Sequence, residues 1–129
     1  MHNAITVADV HDPSTVYGVH GTVGQSWWKC LSRTPGPVGP WEAVEWASLP
    51  PGGVSGEHQH SRTEEIYIVL CGHGEIALNG RIHPAGPGDV ILTRVGDRHG
   101  LTNTGDEQLD WLVIELTARQ PLHQGAGCG

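Results

Sequence analysis

Short hydrophobic stretches alternate with clusters of glycine, proline and small polar residues along most of the chain. The hydrophobic stretches predict strands, and a break about every ten residues predicts tight turns between them. The strands are expected at residues 26–32, 41–49, 66–70, 75–78, 81–83, 90–93, 100–103 and 109–116. This succession predicts an all-β fold, namely an antiparallel sandwich or barrel.

The turn signals divide this single predicted domain into three parts. Asn79-Gly80 predicts a two-residue hairpin, because both residues tolerate positive φ. Residues 33–40 are rich in proline and glycine and predict a loop. We therefore expect N-terminal strands and a loop over 1–40, a barrel core over 41–117 and a flexible tail over 118–129.

Composition narrows the class of protein. A length of 129 residues suits one domain, and 19 glycines and nine prolines suit many turns. The net charge of -7, with seven scattered lysines and arginines, argues against nucleic acid or an anionic membrane as a partner. No apolar stretch is long enough to span a bilayer. Three well-separated cysteines, with no leader-like start, predict free thiols in a cytoplasmic protein.

Nine histidines are many for this length, and two of them have a suggestive spacing. His58 and His60 are two residues apart, so on a strand both imidazoles point to one face. Glu64 and Glu65 point in opposite directions, so only one can join the histidines. Glu65 is the candidate that would point inward with Tyr67. The alternative is that both glutamates are solvated turn residues, which we prefer for Glu64.

A third imidazole is available from a distant strand. His99 and Asn103 are four residues apart and share one face of the strand expected at 100–103. Asn103 suits a turn, or a hydrogen bond that supports a ligand, better than it suits the metal itself. Imidazole nitrogens with one carboxylate oxygen suit one divalent ion of iron, manganese, nickel, copper or zinc.

The spacing of these residues resembles the two sequence motifs of the cupin superfamily. The matching segments are Gly52-x5-His58-x-His60-x4-Glu65-x6-Gly72 and Gly88-x5-Arg94-x-Gly96-x2-His99-x3-Asn103. Arg94 stands where the family usually has proline, which affects a turn and not the ligand set. The resemblance implies a double-stranded β-helix (the cupin or jelly-roll barrel), a central metal bound by His58, His60, Glu65 and His99, and often a homodimer. It implies no single reaction.

Residues near the ligands are further candidates. Arg62 and Arg98 flank ligand positions and, with Arg94, can attract a carboxylate or phosphate substrate; each is equally well explained as a surface residue. Arg94 is our additional candidate for catalysis. Tyr67 can act as an acid or hydrogen-bond donor, or can pack as a strand aromatic.

Tryptophans and apolar strand residues suggest contacts with substrate or partner. Trp46 and Trp111 are candidates for substrate binding, although strand tryptophans are more often core residues. Trp27 and Trp28 point to opposite faces, so one of them is exposed or covered by a partner subunit. Residues 66–70 are apolar on both faces, which predicts a homodimer.

Two functions follow from these residues. The first is a metal-dependent enzyme acting on a small organic molecule, by oxygenation or by Lewis-acid isomerisation, cyclisation or rearrangement. Small cupins of this kind are similar to enzymes of specialised metabolism such as polyketide cyclases. The alternative is a module that binds a small ligand without catalysis. Burying three imidazoles and a carboxylate without a metal would be costly, which favours the enzyme.

Overall fold

The computed structural model describes residues 11–21, 23–33 and 41–118, and these residues form strands and turns with one short 3-10 turn at Val19–Gly21. The ten strands are β1 (Ser14–Tyr17), β2 (Gln25–Arg33), β3 (Trp41–Leu49), β4 (Val54–Gln59), β5 (Thr63–Cys71), β6 (Gly74–Leu78), β7 (Arg81–Ala85), β8 (Val90–Thr93), β9 (Arg98–Thr102) and β10 (Leu109–Thr117). The all-β class expected from the sequence is confirmed.

The strands form two antiparallel sheets that face each other. The larger sheet has the order β1-β2-β3-β10-β5-β8, and the smaller has the order β4-β9-β6-β7. The core between them contains buried aliphatic and aromatic residues from both sheets, among them Leu49, Val69, Ile76, Leu101, Leu109 and Trp111. The chain therefore surrounds its interior with two layers, as a jelly roll does.

Alternation along β5 decides which side chains reach that interior. Glu65, Tyr67 and Val69 are each at most 4% exposed, whereas Ile66 and Ile68 are only half-buried. Glu64 is half-buried as well. The inward direction considered for Glu65 is the one that the structure has.

The opposite side of the larger sheet is also apolar. The register pairs Ile66 with Leu92 and Ile114, and pairs Ile68 with Val90 and Leu112. Directly paired residues point to the same side, so these side chains form one continuous surface. We call it the outer apolar face; its residues are Val44, Trp46, Ile66, Ile68, Val90, Leu92, Leu112 and Ile114.

Two features of the backbone depend on glycine or asparagine at particular positions, namely a hairpin turn and a close approach between two segments. Asn79 and Gly80 have φ values of 50° and 79° and join β6 to β7, which confirms the predicted hairpin turn. Gly56 lies against the carbonyl oxygen of His20, where a Cβ atom would collide with that oxygen. A glycine at position 56 therefore lets the N-terminal segment approach β4.

Some predicted boundaries differ from the structure. β9 begins two residues before the expected strand and ends at Thr102, so Asn103 lies in the following turn. β1 forms in a segment where the sequence pattern is weak, because it pairs with β2 along Ser14–Tyr17. Residues 34–40 of the predicted loop and residues 119–129 of the predicted tail lie outside the described residues.

Candidate metal centre

Three imidazoles and one carboxylate meet between the two sheets. His58 lies on β4, His60 directly after it, His99 on β9, and Glu65 on β5 of the larger sheet. Each offers one ligand atom, and these atoms all lie within 4.8 Å of one another. β4 and β9 pair directly, with His58 opposite His99, which explains how residues 41 apart in sequence become neighbours.

The Glu65 carboxylate stands at the centre of this cluster. Its Oε1 lies 2.5 Å from Nε2 of His60, and its Oε2 lies 3.2 Å from Nε2 of His99. Glu65 and His99 are 4% and 1% exposed. These distances bring nitrogen and oxygen donors to one point, where Glu65 and His99 are buried and His58 and His60 are half-buried.

The far sides of two imidazoles are held by other groups. Nδ1 of His58 donates a hydrogen bond to the carbonyl oxygen of Gly56 at 3.0 Å. Nδ1 of His60 lies 3.2 Å from Oγ1 of Thr63. These contacts on Nδ1 leave Nε2 as the nitrogen available to a metal, and Nε2 is the nitrogen that His60 directs at Glu65.

This donor set fits a divalent metal ion. Three imidazole nitrogens and one carboxylate oxygen suit iron, manganese, nickel, copper and zinc alike. Nε2 of His60 and Nε2 of His99 both point at the Glu65 carboxylate, so the nitrogen and oxygen donors converge as metal ligands do. His58, His60, Glu65 and His99 are therefore the residues that can hold an ion in this fold.

The acid–base properties of the cluster are unequal. Burial lowers the pKa of His58 to about 4, because burial penalises the charged imidazole. Hydrogen bonding to Glu65 is the main reason why the pKa of His60 is raised, and it outweighs burial. Burial by itself would raise the pKa of Glu65, but hydrogen bonds from His60 and His99 hold it well below its usual range. Glu65 is therefore a carboxylate at any physiological pH.

One side of the cluster opens into an apolar cavity of about 340 Å³, which we call the central cavity. Its walls come mainly from β2, β3, β5 and β10, with His58 and Glu65 at the end next to the cluster. The remaining lining residues are Val16, His20, Ser26, Trp27, Trp28, Glu45, Ala47, Ser48, Leu49, Ser55, Tyr67, Trp111 and Val113.

Of the three aromatic residues predicted to act on the substrate, two line the central cavity and one does not. The Tyr67 ring meets that of His99 edge-on at 5.4 Å, and Trp111 lies 6.0 Å from Tyr67; both line the central cavity. Burial raises the pKa of Tyr67 well above its usual value, so the phenol keeps its proton. Trp46 belongs to the outer apolar face and not to the cavity lining, so the structure does not support its predicted role in substrate binding.

His60 of the cluster also lines a wider, more polar cleft of about 870 Å³, which we call the arginine cleft. Arg62 and Arg94 line it together with His60, and glutamates also contribute to its wall. The remaining lining residues are Glu42, Gln59, Ser61, Thr63, Glu64, Val95, Glu115, Thr117 and Ala118. Arg98 is outside this cleft, with its Nε 3.6 Å from Glu57. The three arginines therefore do not form one group.

Asn103 supports a turn and does not contact the ligands. Its Nδ2 donates to the carbonyl oxygens of Leu49 at 3.0 Å and Glu107 at 2.7 Å. Its Oδ1 accepts a hydrogen bond from the backbone N–H of Gly105 at 3.0 Å. Of the two roles considered for Asn103, the structure has the turn.

Sequence reasoning overlooked His20. Its ring stacks on that of His58 with the centroids 4.0 Å apart and the planes 12° from parallel. Its backbone is left-handed, with φ 52° and ψ 35°, in a segment with no periodic pattern. No spacing signal links position 20 to position 58, because the contact depends on the close approach at Gly56.

The sequence matches the Cupin domain family model over residues 45–115. An oxalate-binding protein from Thermotoga maritima is 41% identical over 66 residues, which are 51% of this chain and 54% of that protein. The chain thus spans about half the length of the curated relative that it matches. No helix among the described residues has the length and apolar character needed to cross a membrane.

Solved structures share the fold over most of its length. A predicted oxalate decarboxylase from Thermotoga maritima has a TM-score of 0.82 at 28% identity, covering 87% of this chain and 99% of that one. A Cupin 2 conserved barrel domain protein from Salinispora arenicola has a TM-score of 0.71 at 26% identity, covering 92% of each chain. A polyketide cyclase from Streptomyces resistomycificus has a TM-score of 0.72 at 23% identity, covering 92% and 83%. The expected barrel fold is confirmed.

Proposed function

This chain belongs to the Cupin domain family, and we propose that it is a metal-dependent enzyme acting on a small organic molecule. The residues proposed to hold the ion are His58, His60, Glu65 and His99. The observation that carries this proposal is the cluster in which a donor atom from each residue lies within 4.8 Å of the others. We infer a role in specialised metabolism, biosynthetic or catabolic.

The bound ion would supply either Lewis acidity, for isomerisation, cyclisation or rearrangement, or redox chemistry, for oxygenation. Glu65 contributes the negative charge that partly offsets the charge of a divalent ion. Gly56 and Thr63 hold the outer nitrogens of His58 and His60, which fixes the direction of both rings. An ion held by these four residues would still be able to accept an oxygen or nitrogen of the substrate.

Tyr67 is the proposed catalytic donor. The residue is 4% exposed, lies against the His99 ring and lines the central cavity. Its raised pKa keeps the proton on the phenol oxygen, so Tyr67 donates a hydrogen bond to substrate and does not act as a base. Trp111 forms part of the cavity wall beside it and is the tryptophan proposed to contact substrate.

Arg94 and Arg62 are proposed to act on the substrate from outside the central cavity. Both line the arginine cleft next to His60, where they can attract an anionic group of a substrate or product. Arg98 forms an exposed ion pair with Glu57, and its contribution to such attraction is indirect.

A second candidate function is small-ligand binding without catalysis. The observation that favours it is the name of the Thermotoga maritima relative, which is an oxalate-binding protein. The two functions differ in turnover: an enzyme consumes its ligand when loaded with the correct metal, whereas a binding module returns it unchanged. Equilibrium dialysis followed by mass spectrometry of the recovered ligand separates them.

We also propose that two copies associate through the outer apolar face. Antiparallel sheets commonly leave one face in water and make that face polar, but here Val90 is 65% and Leu92 47% exposed beside four half-buried isoleucines and leucines. Light scattering at micromolar concentration should give a dimer. Leu92→Glu should give a monomer, and Ile82→Glu, on an exposed position of the smaller sheet, should not; a monomeric parent protein would contradict the proposal.

The decisive experiment for metal dependence is the metal content of protein purified without chelator. The parent protein should hold about one divalent ion, His60→Ala should lose it, and His83→Ala should keep it. His83 is an exposed histidine on β7, so it controls for the loss of an imidazole as such. A parent protein that binds no ion under any loading condition would refute the proposed function.

A further inference from the structure

The lining of the central cavity indicates the class of substrate. Most of the surface of its wall is aromatic or aliphatic, and Trp28 and Trp111 are among the residues that form it. Its volume of about 340 Å³ is within the range of pockets that hold small organic molecules, about 300–1,000 Å³. An oxalate ion, with six non-hydrogen atoms and four oxygens, would leave much of this apolar surface uncovered.

The charges around the cavity also disfavour a small dianion. Its lining contains no lysine or arginine among the described residues, and it does contain two carboxylates, those of Glu45 and Glu65. His60 and His99 contact the Glu65 carboxylate, whereas that of Glu45 accepts a hydrogen bond from Nε1 of Trp28 at 3.0 Å, which holds it in the wall. An anionic group placed in this weakly polar space would be repelled by Glu45 and would lose its hydration.

We propose that the central cavity binds the ring system of an uncharged, largely apolar substrate, and that Glu45 discriminates against anions there. Aromatic walls favour flat rings, because stacked and edge-to-face contacts add to the burial of apolar surface. The end of the cavity at His58 and Glu65 then brings the bound molecule to the metal ligands. This inference rests on the proposed function, since it specifies the substrate of that same site.

The test uses three probes on the full-length protein: 2-naphthol, which is neutral, 2-naphthoate, which adds a carboxylate to the same rings, and oxalate. Calorimetry and quenching of tryptophan emission both report binding, because tryptophans line the cavity. We expect 2-naphthol to bind metal-free protein on the order of tenfold more tightly than 2-naphthoate. Oxalate should not displace 2-naphthol from metal-free protein.

Glu45→Gln should bring the affinities for 2-naphthoate and 2-naphthol close together. Glu42→Gln should leave the tenfold difference intact, because Glu42 lies on the same strand but lines the arginine cleft. Ala47→Leu, which fills part of the cavity, should weaken 2-naphthol binding, with the melting curve as the check on folding. An unchanged difference in Glu45→Gln, or equal binding of both naphthalene probes to the parent protein, would overturn the inference.

Metal content measured on the same samples distinguishes this inference from the proposed function. Protein that retains zinc but does not bind 2-naphthol overturns the inference and leaves metal dependence standing. Protein that binds 2-naphthol with the expected selectivity but takes up no metal refutes the proposed function.

Discussion

The central cavity and the arginine cleft adjoin the same ligand cluster at different residues, and they differ in size and in polarity. The central cavity is smaller and mainly apolar, and its wall includes His58; the arginine cleft is wider and polar, and its wall includes His60. The pKa of His58 is lowered by burial, whereas that of His60 is raised by Glu65 and further by Glu115 and Glu45. The pKa values of two histidines in one ligand set are therefore shifted in opposite directions by their surroundings.

Removing the central carboxylate should have the largest effect, because Glu65 contacts both His60 and His99 of the ligand set. Glu65→Gln should weaken metal binding by more than about 100-fold, since removal of a mere supporting partner of a ligand typically costs 10–100-fold. Glu64→Gln is the matched control, because Glu64 points away from the cluster. Calorimetric titration with zinc measures both, and equal losses in the two variants would contradict the assignment of Glu65.

The contrast between the two histidines can be measured directly in metal-free protein. His58 should remain neutral down to a pH of about 4, whereas His60 should become protonated at a pH above 6.5. Imidazole resonances followed by NMR across this range test the order of protonation. If both histidines titrate together near 6.5, the two sides of the cluster are electrostatically equivalent and the comparison fails.

The same shifts predict how the stability of metal-free protein depends on pH. The raised pKa of His60 gives a stabilising contribution that is complete below pH 6.5 and is lost as pH rises through the folded-state value. The lowered pKa of His58 reduces stability as pH falls from 6.5 towards 4, because the unfolded chain then binds the proton more readily. In melting curves, His60→Gln should therefore remove the stabilisation that the parent protein shows at low pH. His58→Gln should remove the loss of stability between pH 6.5 and 4.

A smaller effect is expected from the hydroxyl that supports the cleft-side ligand. Thr63→Ala removes the oxygen 3.2 Å from Nδ1 of His60 and should weaken zinc binding by about tenfold. Ser61→Ala is the matched control, because it removes a hydroxyl from the same cleft but leaves the oxygen of Thr63 beside Nδ1 of His60. Identical zinc affinities in the two variants would show that the Thr63 contact does not orient His60.

The smallest effect concerns the position where arginine replaces the usual proline. The backbone N–H of Arg94 donates to Oδ2 of Asp97 at 2.8 Å, and proline has no N–H to donate. Arg94→Pro should lower the melting temperature slightly, whereas Arg94→Ala should not.

The difference between these two variants should also depend on pH. Hydrogen bonds from Asn79 and from the N–H of Arg94 lower the pKa of Asp97, so their stabilisation is present above its ordinary pKa and is lost as pH falls through the lowered value. The gap between the two melting temperatures should therefore close in acid. A gap that persists there would assign the effect to backbone strain.

Hydrophobic periodicity and motif spacing in the sequence were sufficient to predict most of the strands and turns. The alternation in β5 gave the directions of Glu65 and Tyr67, and the Asn79-Gly80 pair gave the hairpin, because both signals are local. The residues of the ligand cluster were found because two of them are close in sequence and the motif spacing supplied the others. Local rules work where the backbone itself dictates the direction of a side chain.

Features that depend on packing between distant segments escaped such reasoning. His20 stacks on His58 only because β4 has a glycine where the N-terminal segment crosses it. Trp46 appeared as suitable as Trp111 from sequence, since both lie on strands; only the register with β10 places one on the outer apolar face and the other at the cavity. Strand partners, and not propensity, decide such cases.

The origin of the four ligands in two different sheets has a thermodynamic consequence. His58, His60 and His99 belong to the smaller sheet or its edge, and Glu65 belongs to the larger one. An ion held by all four is a cross-link between the two layers, which exists only while the layers are closed. Its binding energy is therefore folding energy, and free metal at 1,000 times the dissociation constant adds about 4 kcal/mol to the free energy of unfolding. The supply of metal would then regulate how long this protein survives as well as what it does.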